Sequence, residues 1–234
     1  MYVFLNSFVF ILGLMFGSFV SAVSYRTPKS IGFVSGRSFC DHCKKKISVK
    51  DNIPLFSYLF LLGKSSCCHT KISIRYPLIE LASGSFFLIL YNSFHSFEFI
   101  YFAFLFLILL TVFVIDFENM VIFDEFVWLL SVLILFRYFS FENIFAGFLS
   151  GFLILLIYIL TRGRGMGLGD VKLVIPLAAG FGLFNSLLFL SGAFILGGIY
   201  SAVLLLFSKA KLKTKISFGP FLIIAFWILT FYIN

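Results

Sequence analysis

Charged side chains are scarce in this chain. Only 12% of its 234 residues carry one, against about a quarter in an ordinary soluble domain. So little polar material cannot cover a globular surface in water, which excludes a soluble fold. Carboxylates number ten, few enough for each to be weighed by itself. Histidine occurs three times, at His42, His69 and His95. The first two fall in a polar loop and the third at a turn with no partner, which leaves a Ser-His-Asp arrangement without support. No Lys or Arg precedes Arg26, so the first apolar stretch lacks the basic start of a signal peptide and is read as a retained helix. There is no internal repeat and no low-complexity tract.

Apolar residues are abundant instead. They make up 61% of the chain, with 36 Phe among them, a load suited to lipid-facing surfaces. Several runs approach or exceed the ~20 residues that cross a bilayer core. Hydropathy resolves about eight spans, at 2–24, 77–94, 97–115, 124–140, 142–161, 171–184, 186–207 and 217–233. The sixth is short and interrupted by Gly and Pro, and Pro176 is expected to kink or shorten it. With this topology the segments 26–76, 162–172 and 209–215 share one side and hold seventeen of the eighteen cations, leaving Arg137 opposite. The positive-inside rule makes that side cytoplasmic and puts both termini outside. The net charge of +8 follows from this arrangement. Because the cations hug the membrane edge, lipid is the expected partner and nucleic acid is not.

The carboxylates divide by position. Asp41 and Asp51 lie in the polar loop, and Glu98 and Glu142 fall at outer turns, where exposure is expected. Glu80, Asp116, Glu118, Asp124, Glu125 and Asp170 sit at or inside helix ends, where an ionisable group is costly and carries a functional hypothesis. Glu80 is expected to pair with Arg75, about one helical turn away. Asp116 ends the third span and Asp170 begins the sixth, and the topology brings both to the cytoplasmic face. Gly163, Gly165, Gly167 and Gly169 alternate before Asp170. Each costs a helix roughly 1 kcal/mol relative to Ala, so this stretch is irregular backbone of the kind tolerated where it lines a protein cavity. The plain alternative is a flexible loop with Asp170 capping the next helix. A dinucleotide-type phosphate loop lacks the βαβ context it needs. Two carboxylates a few ångströms apart share a proton. The charged one then takes a proton from water while the neutral one polarises a carbonyl.

Ordered motifs extend over nearly the whole chain. Gly167-Leu168-Gly169-Asp170-Val171-Lys172-Leu173 contains a G-x-G-D signature followed by Val-Lys-Leu. Ile115-Asp116 precedes Val121-Ile122-Phe123-Asp124. The start reads Gly17-Ser18-Phe19-Val20-Ser21-Ala22-Val23, then Tyr25-Arg26-Thr27-Pro28. The loop holds Gly36-Arg37-Ser38, Cys40-x-x-Cys43, Asp51-Asn52-Ile53-Pro54-Leu55 and Ser73-x-Arg75-Tyr76-Pro77-Leu78-x-Glu80. Together these resemble the type IV prepilin peptidases, intramembrane aspartyl proteases of the GxGD type. The resemblance implies an enzyme of the bacterial inner membrane that cleaves the basic leader of type IV prepilins or pseudopilins at the cytoplasmic face, and then methylates the new N-terminus with S-adenosylmethionine. It assigns the catalytic pair to Asp116 and Asp170. Asp124 is the reserve for the first position; eight residues on, it lies about 80° around an ideal helix and could not simply replace Asp116. Glu118, Asp124 or Glu125 would receive the basic leader. Rival readings are a peptidase without methyltransferase activity, and a small transporter or scaffold whose acids bind cations.

Three departures from the family pattern stand out. Ser21 replaces an Asn in the region linked to methylation, and Phe123 replaces a Pro. The second Cys-x-x-Cys is broken, with Ser65 at the third cysteine's place and Cys68 at the fourth. A structural zinc ion would then use Cys40, Cys43 and Cys68, with the last ligand drawn from Cys67, His69 or His42. Cys67 is the choice made here, although adjacent cysteines rarely share an ion. The alternative is a degraded site of four reduced thiols. The expected fold is therefore all-α: a polytopic bundle of about eight spans with a small cytoplasmic zinc-ribbon-like insert. Its parts are a first helix (1–25), a cysteine-containing loop (26–76) and a transmembrane protease core (77–234).

Overall fold

The computed structural model describes residues 2–32, 38–40, 42–48, 50–207 and 215–233. Gly36 and Arg37 of the loop motif, Asp41, and three of the expected cytoplasmic cations (Lys209, Lys211 and Lys213) lie outside the described residues. The described chain is helical: α1 (Tyr2–Arg26), the short α2 (Phe56–Phe60), α3 (Arg75–Ser93), α4 (Ser96–Asn119), α5 (Asp124–Tyr138), α6 (Phe141–Leu160), α7 (Leu168–Ala179), α8 (Gly182–Leu206) and α9 (Gly219–Ile233). Each expected span overlaps a helix, the sixth running past the end of α7 into α8. Among the described residues, four segments are long and apolar enough to cross a membrane, Tyr2–Lys29, Phe97–Asn119, Phe141–Leu160 and Gly182–Leu206. The protein is an integral membrane protein built of helices.

Two compact units divide the chain, Met1–Thr111 and Val112–Asn234. In the first, α1 packs along α3. Gly13 and Gly17 make this close: a Cβ on Gly13 would stand 2.8 Å from the Gly84 Cα, and one on Gly17 2.8 Å from the Glu80 Cα. Small residues four apart let two helix backbones approach in a setting where van der Waals contact, not the hydrophobic effect, joins helices. The segment between α1 and α3 contains two tight turns, each closed by an isolated antiparallel bridge, Phe39 with Lys46 and Lys64 with Lys71.

The second unit is organised around α7, which touches α5, α6, α8 and α9. Leu173, Val174, Leu177 and Ala178 are completely buried, as expected of a helix enclosed by four others, with Lys172 left on its exposed side. α6 reaches it through Gly147 and Gly151, whose Cβ atoms would meet Ile175 O at 2.6 Å and Ile175 Cγ1 at 2.5 Å.

The expected boundaries change at two places. α7 runs through Pro176 and stops at Ala179, and the chain turns at Gly180 and Phe181 into α8. The sixth span is thus shorter than 171–184 and the seventh begins earlier than 186. Gly182 opens α8 at φ +73°, a conformation glycine adopts without cost. The second is the end of the third span, which runs on to Asn119, while Asp124 opens the next helix as expected, so Asp116 and Asp124 do not share a helix. α4 ends at Asn119, Met120 takes φ +55°, and 121–123 are irregular before α5 starts at Asp124. The ideal-helix angle between the two acids therefore has no structural meaning.

Candidate active site

Asp116 lies in the last turn of α4 and is 4% exposed; Asp170 lies in the first turn of α7 and is 8% exposed. Both belong to the second unit. Each carboxylate has one oxygen held by a glycine amide. Asp116 Oδ2 accepts from Gly219 N–H at 3.0 Å. Asp170 Oδ2 accepts from Gly167 N–H, also at 3.0 Å. Gly219 is the first residue of α9 and Gly167 the N-cap of α7, so both donors come from amides that a helix start leaves without intrahelical partners. Each acid thus sits at the positive end of a helix, which offsets part of the cost of burying a carboxylate. The two side chains are near enough for their charges to act on one another.

Asp170 does cap its helix, but not as the N-cap residue. It occupies the third helical position and reaches back to the N-cap amide. The glycine before it is needed for space. A Cβ on Gly169 would lie 3.1 Å from Ile122 Cβ, and one on Gly219 would lie 3.5 Å from Ile122 Cδ1. Ile122, in the irregular stretch after α4, therefore touches the backbone that carries one acid and the backbone that holds the other. Gly219 is tighter still, since its Cβ would come 2.5 Å from Asp116 Oδ2.

The remaining acids lie elsewhere. Asp124 is 57% exposed and accepts from Lys172 Nζ at 2.7 and 2.9 Å. Its carboxylate is committed to that cation and is not brought to Asp116. Glu118 and Glu125 are exposed. Glu142, expected to be merely solvated, has Oε1 3.4 Å from Leu183 N at the start of α8. Glu80 does not take Arg75 as its partner. Its Oε2 accepts from Leu55 N–H at 2.8 Å, while the Arg75 guanidinium reaches Ser24 Oγ at 2.7 Å and the Ser21 carbonyl at 3.3 Å.

The cysteines of the first unit converge. The Sγ atoms of Cys40, Cys43, Cys67 and Cys68 all lie within 4.8 Å of one another, with Cys40 to Cys68 at 3.7 Å and Cys43 to Cys67 at 3.1 Å. Four thiolates around a tetrahedral ion with ~2.3 Å bonds stand roughly 3.8 Å apart, so this group could hold a metal. The two turns that carry it repeat one pattern. Cys40 N–H donates to Lys45 O and Lys44 N–H to Cys40 O; Ser65 N–H donates to Thr70 O and His69 N–H to Ser65 O. Lys44 and His69 both take positive φ, +59° and +55°. Ser65 is therefore the structural counterpart of Cys40, and Cys68 of Cys43. The thiol missing at Ser65 is replaced from two residues on, by Cys67, with Ser65 Oγ 3.0 Å from its sulfur. His42 and His69 are not part of the group.

The thiols are unequal. The Cys43 amide and then the Ser65 hydroxyl pull Cys40 down to about 6, while Cys43, bonded to the Cys67 sulfur, is pushed up to about 12. The Thr70 hydroxyl, and after it the Thr70 amide, pull Cys68 down as well. Asp51, expected to be simply solvated, instead accepts from Ser48 Oγ at 2.9 Å and Ser66 Oγ at 2.7 Å. It ties the end of the first turn to the second, and these bonds, that from Ser66 first, hold its carboxyl below the usual range.

Two residues at the acid pair escaped the sequence reading, Gly219 and Ile122. Phe218-Gly219-Pro220 carried a usable signal, because a glycine directly before a helix-opening proline marks an amide with a special neighbour. Ile122 had none.

Comparison with known proteins places these features together. Residues 11–94 match the bacterial peptidase A24 N-terminal domain and 103–202 the type IV leader peptidase family. A prepilin leader peptidase/N-methyltransferase of Stutzerimonas stutzeri is 34% identical, over 93% of this chain and 87% of that protein. One from Dichelobacter nodosus is 32% identical over 96% and 91%, and one from Klebsiella pneumoniae is 46% identical over a shorter stretch, 36% of this chain and 40% of its own. No solved structure matches. With paired acids in its second unit and relatives aligned along almost its full length, this chain belongs to the type IV leader peptidase family.

Proposed function

We propose that this protein cleaves the leader of type IV prepilins or pseudopilins at the cytoplasmic face of the bacterial inner membrane, with Asp116 and Asp170 as the catalytic pair. The observation that carries this reading is the pairing of two buried carboxylates, each anchored through Oδ2 by a glycine amide at a helix start. Anchoring one oxygen of each leaves Oδ1 of each for a shared proton and a water molecule. Two carboxylates close enough to act on one another share a proton. The ionised acid takes a proton from water, the hydroxide oxygen bonds to the scissile carbonyl carbon, and the protonated acid donates to the carbonyl oxygen. Collapse of the tetrahedral species returns a proton to the departing amine. No covalent enzyme intermediate is needed.

Exposed Glu118 and Glu125 supply negative charge for a basic leader near the end of α4 and the start of α5. The relatives are named for N-methylation as well, and we extend that activity to this chain, with S-adenosylmethionine as donor. In the loop 26–76, Cys40, Cys43, Cys67 and Cys68 would hold a zinc ion, which serves to fix two turns too small to fold unaided.

Asp116→Asn and Asp170→Asn are the test. Each is expected to lower cleavage of a co-expressed prepilin by about 10²–10⁴-fold or more, the range of acid–base contributions, with the protein still in the membrane. Full processing by both variants would refute the assignment. Mass spectrometry of the mature pilin N-terminus tests methylation, since a free amine would leave a peptidase only.

A further inference from the structure

Between the two cysteine-bearing turns the chain exposes an apolar tip. On α2, Ser57 and Tyr58 line an internal cavity, whereas Phe56, Leu59 and Phe60 face out, and Leu62 follows at 85% exposed. Leu62 also takes φ +51°, a left-handed conformation that is costly for a residue with a side chain. A leucine held there and left in water gains nothing in return. Contiguous apolar surface of this kind marks a contact.

Two further observations bear on what that contact is. The first is charge. Lys64 and Lys71 face each other in an isolated antiparallel bridge. The flanking bonds, Ser65 N–H to Thr70 O and Ile72 N–H to Gly63 O, make them a non-hydrogen-bonded pair, the kind whose side chains stand closest. Like charges so placed repel, and neither ammonium has an ion pair among the described residues. An anion shared by the two removes the repulsion. The second is height. Leu55, at the start of α2, donates its N–H to Glu80 of α3 at 2.8 Å. Glu80 packs against Gly17 of α1, which lies about 13 Å along the axis from the end of that membrane-length helix at Arg26. α2 is thereby tied to the flank of the α1–α3 pair instead of standing off in solvent.

We infer that the tip is a membrane anchor. Phe56, Leu59, Phe60 and Leu62 enter the interfacial layer of the leaflet beside the insert, and Lys64 and Lys71 together hold the phosphate of an anionic lipid. Buried apolar area and attraction to anionic headgroups are the two sources of interfacial binding, and this tip presents both within nine residues of sequence. The contact fixes the cysteine-bearing turns against the bilayer. It does not depend on the peptidase reading.

The test uses the full chain in lipid nanodiscs, of phosphatidylcholine alone or with phosphatidylglycerol. In Phe60→Trp, the emission added to that of Trp128 and Trp227 is expected to be quenched by lipid brominated near the headgroup and shielded from aqueous acrylamide. Replacing both lysines (Lys64→Gln with Lys71→Gln) is expected to lower the ratio of docked to undocked tip in the phosphatidylglycerol discs by roughly 30-fold, the effect of two surface lysines. Lys64→Arg with Lys71→Arg is expected to retain it. Acrylamide quenching without bromine quenching, or bromine quenching that phosphatidylglycerol does not strengthen, would overturn the inference. So would shielding from both reagents, which puts a second copy or the prepilin on the tip. Amide hydrogen exchange over 56–62 in the unaltered protein checks the contact without any substitution. It is expected to slow when phosphatidylglycerol is added, and equal rates count against the anchor.

Discussion

Adding one methyl group at Gly219 tests how the acid pair is held. The new Cβ in Gly219→Ala would stand 2.5 Å from Asp116 Oδ2 and 3.2 Å from Cγ, well inside van der Waals contact with a buried group. α9 begins here and is packed on α8, so the carboxylate is the part that yields. Its displacement weakens the Gly219 amide bond, now 3.0 Å. A hydrogen bond to a charged group contributes about 1.5–3 kcal/mol, which corresponds to roughly 10- to 150-fold in rate. A shift of ~1 Å in a reacting group alone costs on the order of 10²-fold. The expected result is a fall of roughly 10- to 150-fold in kcat for leader cleavage, measured on purified protein with a synthetic leader peptide carrying its hydrophobic segment. Gly169→Ala grades the effect, because its nearest neighbour is Ile122 Cβ at 3.1 Å. That contact eases with a few tenths of an ångström, and a loss of about threefold is expected. Gly198→Ala, with nothing within 4 Å, is the control and leaves cleavage unchanged. If Gly219→Ala cleaves at the unaltered rate while remaining folded, the amide does not position Asp116 and the reasoning fails.

Other perturbations probe the surroundings. Asp124→Ala removes an exposed ion pair with Lys172, both side chains more than half exposed. It is expected to cost less than about 1 kcal/mol, seen as a Tm shift of at most about 4 °C, and to leave cleavage within about threefold; abolished cleavage would return Asp124 to the catalytic pair. Metal analysis of the purified protein is expected to find one zinc per chain, lost in Cys67→Ser and retained in His69→Ala. The opposite pattern would move the fourth ligand to histidine.

Much of this architecture could be read from apolar runs and a handful of acids, because a bilayer leaves few ways to place either. What hydropathy did not show was where one helix stops and another starts inside a continuous apolar run. The turn at Gly180 and Phe181 lies in such a run; the break after Asn119 falls instead among acids, between the expected spans 97–115 and 124–140, and only the end of the third span moves. Local pairing rules also failed. Arg75 is close to Glu80 in sequence yet turns to α1, because the long guanidinium finds a carbonyl and a hydroxyl there. Adjacent cysteines rarely share an ion, but a turn with His69 at positive φ brings both sulfurs within reach of Cys40 and Cys43, as the choice of Cys67 requires. The two acids stand out in the sequence because they are ionisable in an apolar chain. The glycine that holds one of them was missed because its contribution is an amide, which every residue has.

α7 has a consequence for how the reaction is fed. Twelve residues extend about 18 Å at 1.5 Å each, well short of the ~30 Å hydrocarbon thickness, whereas α6 and α8, at 20 and 25 residues, reach across. A helix that falls short draws the bilayer thinner around it or admits solvent at one end. The end that carries Asp170 follows a glycine-rich stretch bearing Arg162 and Arg164, charged groups that keep water at the membrane edge. Hydrolysis consumes a molecule that lipid excludes, and the truncated helix at the centre of the unit gives that molecule its route in.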